Sequence, residues 1–203
     1  MKKNLLFAFV CLIAFAACNK SKPVKTIGNL KAGIKGETTA SAKYAAFAQK
    51  AKEEGNDTIA KLFEAASKAE SIHAANHSKV LEELGEKMDA FTPEFEVKTT
   101  AENLQAAIDG ESDEVNKMYP QFLADAKAEN VEKAEKTFNW ANDTEKKHLQ
   151  FYINALNALK QNAENTLAFE YAVCPVCGNT YEKRFLDEKC AFCQTPKEKF
   201  LFF

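Results

Sequence analysis

Residues 63–84, FEAASKAESIHAANHSKVLEEL, are rich in the helix formers Ala, Glu, Lys and Leu. Stepping in threes and fours from Ile59 traces one face: Ile59, Phe63, Ala66, Glu70, His73, His77, Val80, Leu84. The ends of that stripe are ordinary core, but its centre holds a carboxylate and two imidazoles. An ionised carboxylate buried without a partner costs several kcal/mol, against a net stability of only ~5 to 15 kcal/mol for a typical domain. Alone, Glu70 reads as the solvated edge of a helix. Whether the other helices show the same defect decides what the chain folds into.

They do. Residues 30–161 are rich in Ala, Glu and Lys and poor in Gly and Pro, a helical composition. A first helix, about Leu30 to Glu54 and stopped by Gly55, has the stripe Leu30, Ile34, Glu37, Ser41, Tyr44, Ala48, Ala51. The Glu70 helix follows after a short turn, so the two should be antiparallel neighbours. From Gly85 to Thr100 the periodicity is lost around Pro93, in a connection long enough to run the length of a bundle. A third helix, about Thr100 to Glu129, aligns Leu104, Ile108, Glu111, Val115, Met118 and Phe122, with Glu114 one turn after Glu111. A fourth, about Val131 to Leu159, aligns Ala134, Phe138, Ala141, Glu145, His148, Tyr152 and Leu156.

No Lys or Arg lies on any of the four stripes, so salt bridges cannot neutralise these carboxylates, whereas a metal can. Side chains at i and i+3 share a helix face. The set is therefore one Glu from the first helix, Glu-x-x-His from the second and fourth, and Glu-x-x-Glu from the third. This is the donor pattern of di-iron and di-manganese carboxylate bundles, with one carboxylate added. Five carboxylates around two divalent cations leave the site near neutral. The expected fold is an all-α, ferritin-like four-helix bundle with one long crossover.

Six cysteines sort around that bundle. Cys11 and Cys18 are N-terminal, while Cys174, Cys177, Cys190 and Cys193 form two C-x-x-C knuckles separated by twelve residues. Each tight turn can aim two sulfurs at one ion, so one tetrahedral four-thiolate site is favoured over two disulfides. Spacing alone leaves iron and zinc both open. The segment 1–17, with Lys2 and Lys3 before LLFAFVCLIAFAA, reads as a signal peptide. FAAC resembles the lipobox of bacterial lipoproteins, with Phe15 where Leu is usual; the resemblance makes Cys18 the lipidated residue of an exported, membrane-anchored protein. The chain is then divided into a signal peptide (1–17), a tether (18–29), the bundle (30–161), a linker (162–170) and a small cysteine module (171–203). With 203 residues, 46% hydrophobic, 28% charged and a net charge of -2, it has one main core, and nothing in the charge points to nucleic acid.

From KGETTASAKYAAFA through ESIH, TAENLQAAIDGESDEVNKMYPQF and EKKH to CPVCG and CAFCQTPK, the sequence resembles a rubrerythrin over nearly the whole mature chain. The resemblance implies that Glu37, Glu70, His73, Glu111, Glu114, Glu145 and His148 hold two irons, with Glu114 and His73 exchanging at one of them. It implies that Tyr44 and Tyr119 hydrogen-bond the carboxylates. It also implies that the four cysteines hold one iron in a rubredoxin-like module of short strands and knuckles. The activity implied is peroxidase: reduction of hydrogen peroxide to water in oxidative stress defence, recharged through the cysteine iron by an unidentified reductase or electron carrier. A homodimer is implied, because in relatives the module approaches a partner subunit's di-iron centre. An iron-handling ferroxidase using oxygen and a non-catalytic bundle with a structural zinc ribbon stay open as alternatives. Export is at odds with the reducing cytoplasm in which the family usually works. His77 reads as a satisfied core residue in preference to a proton relay or spare ligand, and Tyr152 as packing.

Overall fold

A computed structural model describes residues 21–203; the signal segment and Cys18 lie outside the described residues. The elements are α1 (Val24–Glu53), α2 (Asp57–Glu83), α3 (Thr100–Asp113), a π-helical turn (Glu114–Met118), α4 (Tyr119–Ala128) and α5 (Glu132–Lys160), then β1 (Tyr171–Val173), β2 (Thr180–Glu182) and β3 (Leu201–Phe202). The π turn joins α3 to α4, so the bundle has four long rods. Among the described residues no helix is long and apolar enough to cross a membrane.

Helix ends establish the direction of each rod. Gly55, at φ 79°, closes α1 with hydrogen bonds from Gly55 N to Lys52 O (3.0 Å) and from Asn56 N to Ala51 O (2.8 Å), and α2 runs back antiparallel. Glu54, at the end of α1, accepts from Thr100 N (2.9 Å), so α3 starts where α1 ends and runs parallel to α2. The intervening segment 84–99 therefore spans the bundle as the expected crossover. A capping box then starts α3, with Thr99 and Glu102 each bonding the other's backbone N–H. At the opposite end, Lys133 at the start of α5 pairs with Glu83 at the end of α2 (2.7 Å).

Two boundaries differ from the sequence reading. The tether was expected to reach residue 29, but α1 begins at Val24, because Glu129 caps the backbone N–H groups of Lys25 (3.1 Å) and Thr26 (2.7 Å) and Ile27 is buried. The stripe Glu111, Val115, Met118, Phe122 is also broken. Val115 and Met118 are only half-buried, and Tyr119 takes the inward place. Pro120 cannot donate to the carbonyl four residues earlier, and the π turn ahead of it absorbs one extra residue. At ~100° per helical residue, that insertion brings Tyr119 back onto the face of Glu111.

Among the described residues the core of the bundle falls into two apolar clusters separated by a polar belt, and a third lies in the cysteine module. Tyr44, Phe47, Phe63 and Tyr152 pack on one side, with ring centroids 5.3 to 5.9 Å apart for Tyr44–Phe63, Tyr44–Tyr152, Phe47–Phe63 and Phe63–Tyr152. Tyr119, Phe122 and Phe138 pack on the other side with His77. Beyond the bundle, three short antiparallel strands in the order β2-β1-β3 support the cysteine knuckles. Ala168, Tyr171 and Val173 join the first apolar cluster, so the module packs onto its own bundle.

Candidate metal centres

Six of the seven expected bundle ligands meet in the belt. Glu37, Glu70, His73 and Glu145 offer atoms all within 4.8 Å of one another, and so do Glu70, Glu111, Glu145 and His148. Glu70 and Glu145 belong to both quartets, which places them between two adjacent ion positions. All six residues are at most 2% exposed. Glu114 opens the π turn, is half-buried as a residue and belongs to neither quartet, although its carboxyl lies close enough to Glu37 and Glu111 to feel their charges.

The belt is arranged for cations rather than for itself. His148 Nδ1 lies 2.8 Å from Glu145 Oε2 and 3.0 Å from Glu70 Oε1, and His73 Nδ1 lies 2.9 Å from Glu145 Oε1. Yet His148 Nδ1, Glu70 Oε1 and both Glu145 oxygens are left without a hydrogen bond, a set of buried polar atoms that a cation would satisfy. Burial, then the charges of Glu145 and Glu70, push Glu37 up to about 8; burial and neighbouring carboxylates likewise raise Glu111 and Glu114 well above the ordinary range. Burial also opposes ionisation of Glu70, but His148 and His73 outweigh it and hold Glu70 low. Both histidines rise despite burial, under the pull of the facing carboxylates. A divalent pair resolves this frustration by displacing the protons.

Two tyrosines face the carboxylates. Tyr44 donates to Glu111 (2.7 Å) and Tyr119 donates to Glu37. His77 is not among the clustered ligands, and both of its ring nitrogens are engaged: Nδ1 with Thr137 Oγ1 (3.0 Å) and Nε2 with Tyr119 Oη (3.2 Å). Because the Tyr119 proton points to Glu37, His77 Nε2–H must donate and Nδ1 must accept from Thr137. Burial depresses His77 to about 3, which keeps the ring neutral. Tyr152 is buried against the rings of Tyr44 and Phe63, as packing.

The four cysteines converge at the far end, all free, with Sγ–Sγ distances of 3.4 Å for Cys174–Cys193 and 3.5 Å for Cys177–Cys190. These are far beyond a disulfide's ~2.05 Å and near the ~3.8 Å edge of a tetrahedron with 2.3 Å metal–sulfur bonds. The two knuckles are built alike. Cys174 N donates to Asn179 O and Gly178 N to Cys174 O, while Cys190 N donates to Thr195 O and Gln194 N to Cys190 O. Gly178 (φ 81°) and Gln194 (φ 62°) occupy matching left-handed positions, and the Gln194 amide returns a bond to Cys190 O (3.2 Å). The neighbouring thiols push Cys177 up and hold Cys190 down, since four touching sulfurs cannot all ionise without a cation.

The rubrerythrin family profile matches residues 28–156. The chain belongs to the rubrerythrin family. It is 33% identical over 180 residues to rubrerythrin-2 of Clostridium acetobutylicum, covering 88% of this chain and 97% of that one. It is 35% identical over 192 residues to nigerythrin of Nitratidesulfovibrio vulgaris, covering 91% and 89%. The structure of nigerythrin in its fully reduced, all-ferrous state matches at a TM-score of 0.78 and 31% identity, covering 100% of both chains. Bacterioferritin of Rhodobacter capsulatus, 20% identical over 68% of this chain and 87% of that one, shares the fold alone at a TM-score of 0.62. The centres of this rubrerythrin are a di-iron carboxylate–histidine site and a one-iron four-cysteine site.

In this rubrerythrin the two centres abut within a single chain, the approach that the resemblance assigned to a partner subunit. The linker after α5 is short and leads β1 directly onto α2. Thr180 Oγ1 lies 2.9 Å from His148 Nε2 and donates to Gly178 O (3.2 Å), so His148 Nε2–H must donate to Thr180. That tautomer leaves Nδ1 with its lone pair facing Glu70 and Glu145, ready to ligate. Asn76 on α2 donates to Val176 O (2.9 Å). A Cβ on Gly178 would lie 2.3 Å from His73 Nε2 and 3.1 Å from Ala69 O, so only glycine lets the knuckle seat there. The motif CPVCG contained Gly178, but nothing in the sequence showed that it would meet His73. Nothing there marked Thr137 or Thr180 either.

Proposed function

We propose that this chain is a peroxidase that reduces hydrogen peroxide to water at its di-iron site and is recharged through its own cysteine module. The observation that carries the reading is the contact of the two centres, His148 Nε2 to Thr180 Oγ1 at 2.9 Å with Thr180 three residues from Cys177. When bound, two ferrous ions supply the two electrons that peroxide takes, and the cysteine iron supplies their replacements one at a time. Glu37, Glu70, His73, Glu111, Glu145 and His148 would hold the pair, with Glu114 and His73 the two side chains that would exchange at one of them. The placement of His73 inside a quartet and Glu114 outside it supports that exchange.

Water formation consumes two protons in a dry core. The chain Thr137, His77, Tyr119, Glu37 is polarised in one direction, each hydroxyl or ring N–H donating toward the site. Tyr44 aims a second hydroxyl at Glu111. These residues hold protons at defined atoms while the apolar clusters on either side exclude bulk water.

The test is to mix the reduced, iron-loaded protein with about one peroxide per di-iron site. Oxidation of both centres is the expected result, and oxidation by oxygen that outruns oxidation by peroxide would favour the ferroxidase reading. Lipid attachment at Cys18 and export to the cell envelope belong to the same proposal, and so does a homodimer, although the module's seat on its own bundle means that no exchange of modules is needed to join the centres. Their tests are the mass of the mature chain with and without Cys18→Ser, and sedimentation of the detergent-solubilised protein.

A further inference from the structure

Lys147 belongs to neither set of metal-binding residues, yet it precedes His148 on α5 and reaches into the cysteine module. Its Nζ lies 2.6 Å from Asn179 Oδ1 and 3.5 Å from Thr180 O, above the rings of Tyr181 (4.2 Å to the centroid) and Phe192 (5.0 Å). Asn179 Nδ2 in turn donates to Tyr181 Oη (2.7 Å) and to Cys190 Sγ (3.7 Å), and Tyr181 donates to the same sulfur (3.6 Å). One amide side chain thus separates a half-buried ammonium from a metal-binding sulfur. Its neighbour Lys146 is exposed and pairs with Asp143 (2.7 Å), whereas among the described residues Lys147 pairs with no carboxylate.

A half-buried ammonium without a counterion is costly to desolvate. The four-thiolate iron provides one: four thiolates give it a net charge of -1 when ferric and -2 when ferrous. A nearby cation stabilises the second state more than the first, and net charge, hydrogen bonds to sulfur and solvent exposure are the levers that set such potentials.

We propose that Lys147 raises the reduction potential of the four-cysteine iron, so that the module takes up its electron most readily when seated on α2 and α5 beside His148. The cation comes from the bundle and the sulfurs from the module. The potential is therefore a property of the docked pair, whichever oxidant the di-iron site serves.

The experiment is a redox titration of the iron-loaded full chain with mediators, following the ferric thiolate absorbance. Lys147→Met keeps the methylene packing and removes the charge. Its ferrous-to-ferric ratio at fixed ambient potential is expected to fall about tenfold, a midpoint about 59 mV lower for one electron. Lys147→Gln, a second uncharged variant, should fall with it. Lys147→Arg and Lys146→Met should stay near the wild-type midpoint. An unchanged midpoint in both uncharged variants, or an equal fall in Lys147→Arg, overturns the proposal.

Discussion

The two metal centres of this chain are built by opposite routes. The cysteine site is local: two knuckles of matching backbone geometry each bring a pair of sulfurs together, and twelve residues separate the pairs. The di-iron site is assembled from four rods, with donors spread from Glu37 to His148, and no two rods hold it alone. A local site depends on turn geometry, so it survives damage elsewhere. An assembled site depends on every helix keeping its register.

The largest effect should come from Glu145→Ala, because Glu145 belongs to both quartets. Metal analysis should show the di-iron content lost and the thiolate iron kept. Cys177→Ser should do the reverse, leaving a di-iron site that turns over once per charge of electrons and then stops in steady-state assay. If either variant empties both centres, the contrast between local and assembled sites fails.

Tyr119→Phe tests the supporting layer of the assembled site. It removes the proton donor to Glu37 and should lower di-iron affinity or turnover by about 10- to 100-fold, the usual cost of losing such a partner, with the cysteine iron unaffected.

Gly178→Ala is aimed at the seam between the two sites. Its Cβ would run into His73 Nε2 and the backbone of Ala69, so stability should fall by roughly 1 to 3 kcal/mol. Electron transfer from thiolate iron to di-iron, read by stopped flow, should slow while each centre keeps its own spectrum.

The gentlest probe is pH. Glu37 titrates at about 8 without metal, and Glu111, Glu114, His73 and His148 are likewise raised. At pH 7 Glu37 therefore holds a proton that iron must displace, and the others are shifted in the same direction. Loading the bundle should release protons, and apparent affinity should rise as pH climbs from 6 toward 8. A pH-stat titration with ferrous iron checks both, and a loading curve flat across that range would show that the carboxylates are already ionised.

Much of this was legible in the chain. The stripe residues of α1, α2 and α5 are buried nearly as read, because a period near 3.6 is a local property that neighbouring residues carry by themselves. The third rod was misread at Val115 and Met118, although Phe122 beyond them is buried as read. Pro120 was visible, but a proline can end a helix, kink it or be absorbed by a π turn, and only packing against Glu37 and His77 selects the register that turns Tyr119 inward.

The sequence by itself determined which residues could bind metal, since charge without a partner on a buried stripe and paired C-x-x-C knuckles are both one-dimensional patterns. Tertiary structure alone decided that Glu114 stands outside the quartets, that Thr180 selects the His148 tautomer, that His77 orients Tyr119, and that Lys147 meets the cysteine module. Each of these is a contact between elements far apart in the chain. Such contacts depend on how whole faces pack, and no spacing of residue types records that.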